Sequence, residues 1–302
     1  MKKFLKNIVR VILFLLIIAA GVIYFYVPRL VIEMKNPLLY KERPIDVTYS
    51  EVFPNGEEVT ITSYDGILLN GYFVPAERDT AKGTIILLHG IRDHKESYEE
   101  LSSKLSKEGY NTFALDLRAH GKSEGEFNTY GAKERKDVSA VVDYLKEKGY
   151  KNIGVWGRSL GGAIALQALG SDYRLGFGVI ESTFSDFNTV VHDYTKLFVG
   201  IDSYLFSDFL VKRAGEIGEF DPTIVKPLAS CKHINQPVYM SHGTADDRIP
   251  FTNGQQNFKA LASAQKEFEA IPGANHGNVW YIAGDAHFYK IINFLNSTTS
   301  KK

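Results

Sequence analysis

From Val11 to Val27 the chain reads VILFLLIIAAGVIYFYV, with no charged side chain. With Ile8 and Val9 beyond Arg10, the apolar stretch reaches about twenty residues, the length a helix needs to cross a hydrocarbon core. Arg10 can snorkel to the headgroups, and Tyr24 and Tyr26 suit the far interface. Pro28 closes the run. The pattern predicts one transmembrane anchor over residues 1–27. A cleaved signal peptide would carry a shorter apolar region, about 7–15 residues, before a small-residue site. Ala19-Ala20-Gly21 is small, but it lies inside the run, and Ile23–Val27 continues beyond it.

The following stretch, residues 28–54, is interrupted by Pro28, Pro37 and Pro44 and reads as a linker. Then the period becomes two. Glu58–Ser63 alternates, Asp65-Gly66 signals a hairpin turn, and Leu68–Val74 follows, which predicts two antiparallel strands. Beyond them, short apolar runs alternate with helical spacing. Gly83–Leu88, Asn111–Leu115, Ile153–Trp156, Gly176–Ile180, Val238–Ser241 and Glu267–Ala270 read as strands. Tyr98–Lys107, Lys133–Lys148, Leu160–Leu169 and His287–Leu295 read as helices. This alternation predicts a mostly parallel sheet with helices on both faces. Residues 183–237 break the rhythm and are rich in Phe and Tyr, so they read as a helical cap inserted after a strand. The domain then covers residues 55–297, with a polar tail at 298–302.

Composition excludes several classes. Hydrophobic residues are 44% and charged residues 23%, so the chain is not a disordered one. Lys plus Arg balances Asp plus Glu at 35 each, which gives no bulk pull toward nucleic acid. The single cysteine, Cys231, excludes an intrachain disulfide and reads as a small buried hydrophobe. No phosphate-binding loop, H-E-x-x-H or C-x-x-C pattern appears, so no cofactor or metal is expected. Lys2, Lys3, Lys6 and Arg10 crowd the near side of the span, while Arg29, Lys35, Lys41 and Arg43 are spread along the far side. The positive-inside rule then predicts a cytoplasmic N-terminus and an extracytoplasmic domain.

Gly157-Arg158-Ser159-Leu160-Gly161 is a G-x-S-x-G pattern between a short apolar strand and a small-residue helix. That strand–turn–helix context is what a nucleophile elbow requires. A serine hydroxyl is a poor nucleophile until a neighbouring base removes its proton. Further motifs occur in order: Leu87-Leu88-His89-Gly90-Ile91, then Asp116 to Ser123 (DLRAHGKS), His242 to Pro250 (HGTADDRIP) and Gly273-Ala274-Asn275-His276-Gly277.

With these motifs, residues 55–297 resemble the α/β-hydrolase superfamily, in particular its esterase, monoglyceride-lipase-like and serine-aminopeptidase-like members. Ala119 departs from the glycine usual in the second motif. The resemblance implies Ser159 as nucleophile, His276 as base, Asp246 as acid, and the N–H groups of Ile91 and Leu160 as oxyanion donors. Asp247 and Glu181 are alternative acids, and His287 an alternative base. Arg158 reads equally as a pocket residue or an ion-pair partner. His89, His120 and His242 read as structural hydrogen-bonders. The expected function is a membrane-anchored serine hydrolase acting on a small-molecule ester. The aromatic cap and the tether point to lipid-like acyl groups. An aminopeptidase-like amide hydrolase, a thioesterase or a non-catalytic binding module are the alternatives.

Overall fold

Strands without a polar face must be covered on both sides, and the centre of this sheet is built that way. The computed structural model describes residues 2–36 and 48–299. Among them are eight strands: β1 (Glu57–Thr62), β2 (Leu68–Val74), β3 (Gly83–Leu88), β4 (Tyr110–Leu115), β5 (Ile153–Arg158), β6 (Gly178–Glu181), β7 (Val238–Gly243) and β8 (Lys266–Ile271). They form one sheet in the order β1-β2-β4-β3-β5-β6-β7-β8, in which β2 alone runs against its neighbours. β3, β4, β6 and β7 are buried along their whole length, whereas the edge strand β1 alternates.

Helices follow the apolar stripes. In chain order they are α1 (Lys2–Phe25), α2 (Val27–Ile32), α3 (Tyr49–Val52), α4 (Glu99–Lys107), α5 (Glu134–Glu147), α6 (Leu160–Leu169), α7 (Phe187–Val199), α8 (Tyr204–Gly218), α9 (Pro227–Cys231), α10 (Phe251–Ala260) and α11 (Val279–Thr299). On one face of the sheet, Val138, Val141, Val142 and Leu145 of α5 join α6 against Ile86, Leu88 and Val155. On the other, Phe288, Ile291, Ile292 and Leu295 of α11 pack with Ile85, Leu87, Trp156 and Val179. α11 breaks at Gly284, whose φ is 59°.

Several boundaries differ from the sequence reading. The β1–β2 hairpin does turn at Asp65-Gly66, within a loop that Ser63 and Ile67 close. Ser63 N–H bonds to Ile67 O, and Gly66 N–H bonds back to Ser63 O. Asp65 therefore sits inside the turn, and Gly66, with φ 88°, takes the left-handed position after it. The cap lies between β6 and β7 as α7 and α8, but α9 packs on α6 and α10 and belongs to the sheet body. Thr298 and Thr299, the first residues of the stretch read as a polar tail, end α11, and Thr299 bonds to Tyr110 Oη.

The largest difference is at the linker. Residues 28–36 are part of the folded body, while residues 37–47 lie outside the described residues. Ile32 and Met34 have no exposed surface and join the main core. α2 packs on α8, and its carbonyls are used: Tyr130 Oη donates to Val31 O and Asn128 N–H to Ile32 O. These partners of Val31 and Ile32 lie about a hundred residues further along the chain, so the local pattern does not announce them. Tyr49 of α3 is also buried, stacked on Tyr72. Ile32→Ala is expected to cost about 2–5 kcal/mol, as for other buried aliphatic truncations. It should show as a lower urea midpoint with an unchanged slope. Ile17→Ala, on the exposed surface of α1, should leave that midpoint in place.

Candidate active site

The elbow at the end of β5 places Ser159 with φ 56° and ψ −117°, a conformation costly for any residue with a side chain. Its surroundings hold it there. Ser159 N–H donates to Glu181 O at 2.8 Å, and Thr183 Oγ1 donates to Ser159 O at 2.8 Å. Glycine is required beside it: a Cβ on Gly161 would lie 1.9 Å from Leu88 O, and one on Gly157 2.2 Å from Gly161 O.

Three loops at the C-terminal edge of the sheet converge here. His276, between β8 and α11, has Nε2 3.0 Å from Ser159 Oγ. Its Nδ1 is 2.8 Å from Asp246 Oδ2, in the turn after β7. The other carboxylate oxygen, Oδ1, accepts the N–H groups of Arg248 (3.0 Å) and Ile249 (2.9 Å). His242 Nε2 approaches Oδ2 at 3.3 Å. Burial alone would raise the Asp246 carboxyl, but these donors outweigh it and hold the group well below the usual carboxylate range. The contact from His242, four residues upstream in the same motif, adds to the structural role read for it in sequence.

Leu160 opens α6, so its N–H has no partner within the helix. The Ile91 N–H makes no hydrogen bond among the described residues. Gly90 runs past the elbow, with a Cβ there only 3.7 Å from Ser159 Cβ. The loop is braced from behind: His120 Nε2 accepts the Arg92 N–H, and His89 Nε2 accepts that of Leu117. Arg92 Nη2 donates to Leu30 O of α2, which ties this loop to the segment that follows α1. Ala119 adopts φ 62°, the left-handed conformation that explains why glycine is usual there.

The alternative residues are placed elsewhere. Asp247 is exposed. Glu181 is buried, and its carboxylate accepts the indole N–H groups of Trp156 (2.9 Å) and Trp280 (3.0 Å). His287 is buried in α11 against Glu269, at 2.6 Å. Arg158 pairs with Asp93 at 3.3 Å. His94 pairs with Glu96 and His192 with Asp202. Cys231 is fully buried, and that burial pushes its thiol up to about 12. No group of three or more His, Cys, Asp or Glu able to hold a metal occurs among the described residues. Ser159 itself is only 6% exposed.

Comparisons with known proteins agree with this architecture. A family model described as serine aminopeptidase, S33, matches residues 79–226, which include the elbow but end before Asp246 and His276. The uncharacterised protein YfhR of Escherichia coli (strain K12) is 28% identical over 295 residues, covering 95% of this chain and 94% of that protein. Uncharacterised YqkD of Bacillus subtilis (strain 168) is 28% identical over 80% of this chain and 81% of its own length. Among solved structures, the Pyrococcus furiosus esterase PF2001 superimposes with a TM-score of 0.71 at 25% identity, covering 86% of this chain and 97% of that one. With this strand order, elbow and set of likenesses, the chain belongs to the α/β-hydrolase superfamily and is a hydrolase.

Proposed function

We propose that the protein is a membrane-anchored serine hydrolase that cleaves carboxylic esters through an acyl-enzyme. The observation that carries this is the unbroken line of hydrogen bonds from Asp246 through His276 to Ser159. Ser159 Oγ attacks the ester carbonyl carbon as His276 Nε2 takes its proton. Asp246 holds the tautomer with hydrogen on Nδ1 and stabilises the imidazolium that forms. The N–H groups of Leu160 and Ile91 receive the negative oxygen; one such donor is worth about 3–4 kcal/mol of barrier. Collapse expels the alcohol, protonated by His276. Water, activated by the same imidazole, then releases the acid and restores the serine.

The likeness to an esterase supports ester over amide cleavage. The family model's description favours an aminopeptidase, whose substrate amine would need a free carboxylate. Of the carboxylates that could serve, Glu181 at the strand end already accepts two indole donors, which leaves the cap carboxylates Asp186, Asp193, Asp202, Asp208, Glu216 and Glu219 as the candidates. The length and apolar character of α1 support the anchor. The cluster of Lys2, Lys3, Lys6 and Arg10 supports a cytoplasmic N-terminus. The aromatic cap supports apolar acyl chains.

The test is hydrolysis of p-nitrophenyl esters from acetate to palmitate by the full chain in detergent micelles, beside Ser159→Ala. The expected result is serine-dependent turnover with an optimum among the longer chains. A sharp optimum at acetate would overturn the lipid-like substrate. Turnover of an aminoacyl p-nitroanilide with none of any ester would overturn the ester reading in favour of the amidase.

A further inference from the structure

Among the described residues of the hydrolase body, the largest group of exposed large apolar side chains along the chain lies at the α7–α8 hairpin of the cap; Tyr281 with Ile282 is a smaller one. Leu197, Phe198 and Val199 end α7, and Tyr204 and Leu205 begin α8; their exposures run from 46% to 82%. A contiguous apolar tip of this kind on a folded domain marks an interaction surface. The tip is rigidly held. The His192 ring stacks on Tyr204 with centroids 3.9 Å apart, and Asp202 in the connecting turn binds both His192 and Lys196.

What covers the tip follows from where α8 lies. The Tyr24 ring at the end of α1 is 6.1 Å from that of Phe209, and the Arg213 guanidinium sits 4.1 Å from its centroid. Eight residues on, Ile32 approaches Gly218 at the other end of α8. α8 therefore runs alongside α2 in the same direction and meets the end of α1 at Tyr24. Leu205 is four residues before Phe209, about 6 Å nearer the apolar interior of α1 at the helical rise. The tip thus lies level with the last apolar turns of α1, beside the boundary where that helix would leave the hydrocarbon. The anchor's other contacts agree. Leu30 O meets the loop after β3, and Lys35 meets Gly121 after β4, both at the edge of the sheet that carries Ser159.

We infer that the α7–α8 tip inserts into the same lipid leaflet from which α1 emerges, a second membrane contact that lays the cap and the serine-bearing edge of the sheet against the bilayer surface. This rests on the reading of α1 as a membrane span. Aromatic and aliphatic side chains at the end of a helical hairpin are suited to the headgroup–acyl boundary. The contact gives an acyl substrate a path from leaflet to cap without crossing water.

The experiment uses the full chain in phosphatidylcholine vesicles, with single cysteines labelled by an environment-sensitive fluorophore. Cys231 stays unlabelled because it is buried and its thiol is protonated. The positions are Phe198→Cys and Leu205→Cys at the tip, Leu16→Cys in α1, and Tyr173→Cys near the start of β6, at the opposite end of the sheet. Quenching lipids carry a nitroxide either near the ester end or near the tail of the acyl chain. The tip labels should be blue-shifted and lose most of their emission to the shallow nitroxide, Leu16→Cys to the deep one, and Tyr173→Cys to neither. If Leu16→Cys is quenched while the tip labels behave like Tyr173→Cys, the inference is overturned and the anchor stands. Tip labels that are blue-shifted but unquenched would mean that protein covers the tip, which also overturns it. An unquenched Leu16→Cys would remove the anchor and this inference together.

Discussion

Asp246→Asn is expected to lower kcat for ester hydrolysis by about four orders of magnitude while leaving KM and thermal stability near their original values. The size of the effect follows from the hydrogen bonds around the carboxylate. Oδ1 faces two backbone donors, the N–H groups of Arg248 and Ile249. An asparagine must turn its carbonyl oxygen to them, since an amide NH2 there would leave donors facing donors. The NH2 then occupies the place of Oδ2 and points at His276 Nδ1. That nitrogen becomes an acceptor, and the ring's hydrogen moves to Nε2. An imidazole with hydrogen on Nε2 cannot take the proton of Ser159. The variant should therefore bind substrate and keep its geometry, yet lack a base. Turnover measured under saturating ester, with KM from the same curves, reads this directly. A loss in KM with kcat preserved would mean that Asp246 positions substrate instead.

The contrast between Ser159 and α2 shows what was legible in the chain. The elbow is local: strand, tight turn and small-residue helix occupy residues 153–169, although the clash that Gly161 avoids is with Leu88 of β3. The parallel sheet was equally open to reading, because unbroken apolar runs such as Gly83–Leu88 admit few other uses. Strand order was not, since β4 lies beside β2 and β3 through pairings that leave no periodic trace. The placement of Glu181 was hidden too. Its partners Trp156 and Trp280 are 25 and 99 residues away, and nothing near Glu181 announces them. α2 was hidden most of all. Its six residues are too few for a periodicity, and the groups that hold it belong to loops far along the chain.

The same long-range logic governs the largest expected loss of stability, at Arg118. Its side chain is 5% exposed and joins three elements. Nε and Nη2 donate to the two oxygens of Asp137 on α5, at 3.0 and 2.7 Å. Nη1 and Nη2 reach Asp65 in the β1–β2 turn, at 2.7 and 3.1 Å. Asp137 is almost wholly buried, and Ser63 is its other donor. Arg118→Met keeps the apolar stem but strands that carboxylate, and removing one partner of a buried pair costs about 3–5 kcal/mol. Burial already raises the Asp137 carboxyl above its ordinary value, against the opposing pull of Arg118. Without the guanidinium it rises further. A native carboxyl that holds its proton more tightly than the unfolded one makes stability fall as pH increases between the two values. The deficit of Arg118→Met against the parent should therefore be smallest in acid and grow toward neutral pH. Arg118→Met combined with Asp137→Asn should recover part of the loss at neutral pH and flatten that dependence. Urea midpoints for the parent, both single variants and the double variant, at acid and neutral pH, measure the coupling. Additive losses with no pH dependence would show that Arg118 acts through packing of its stem and not through the buried charge.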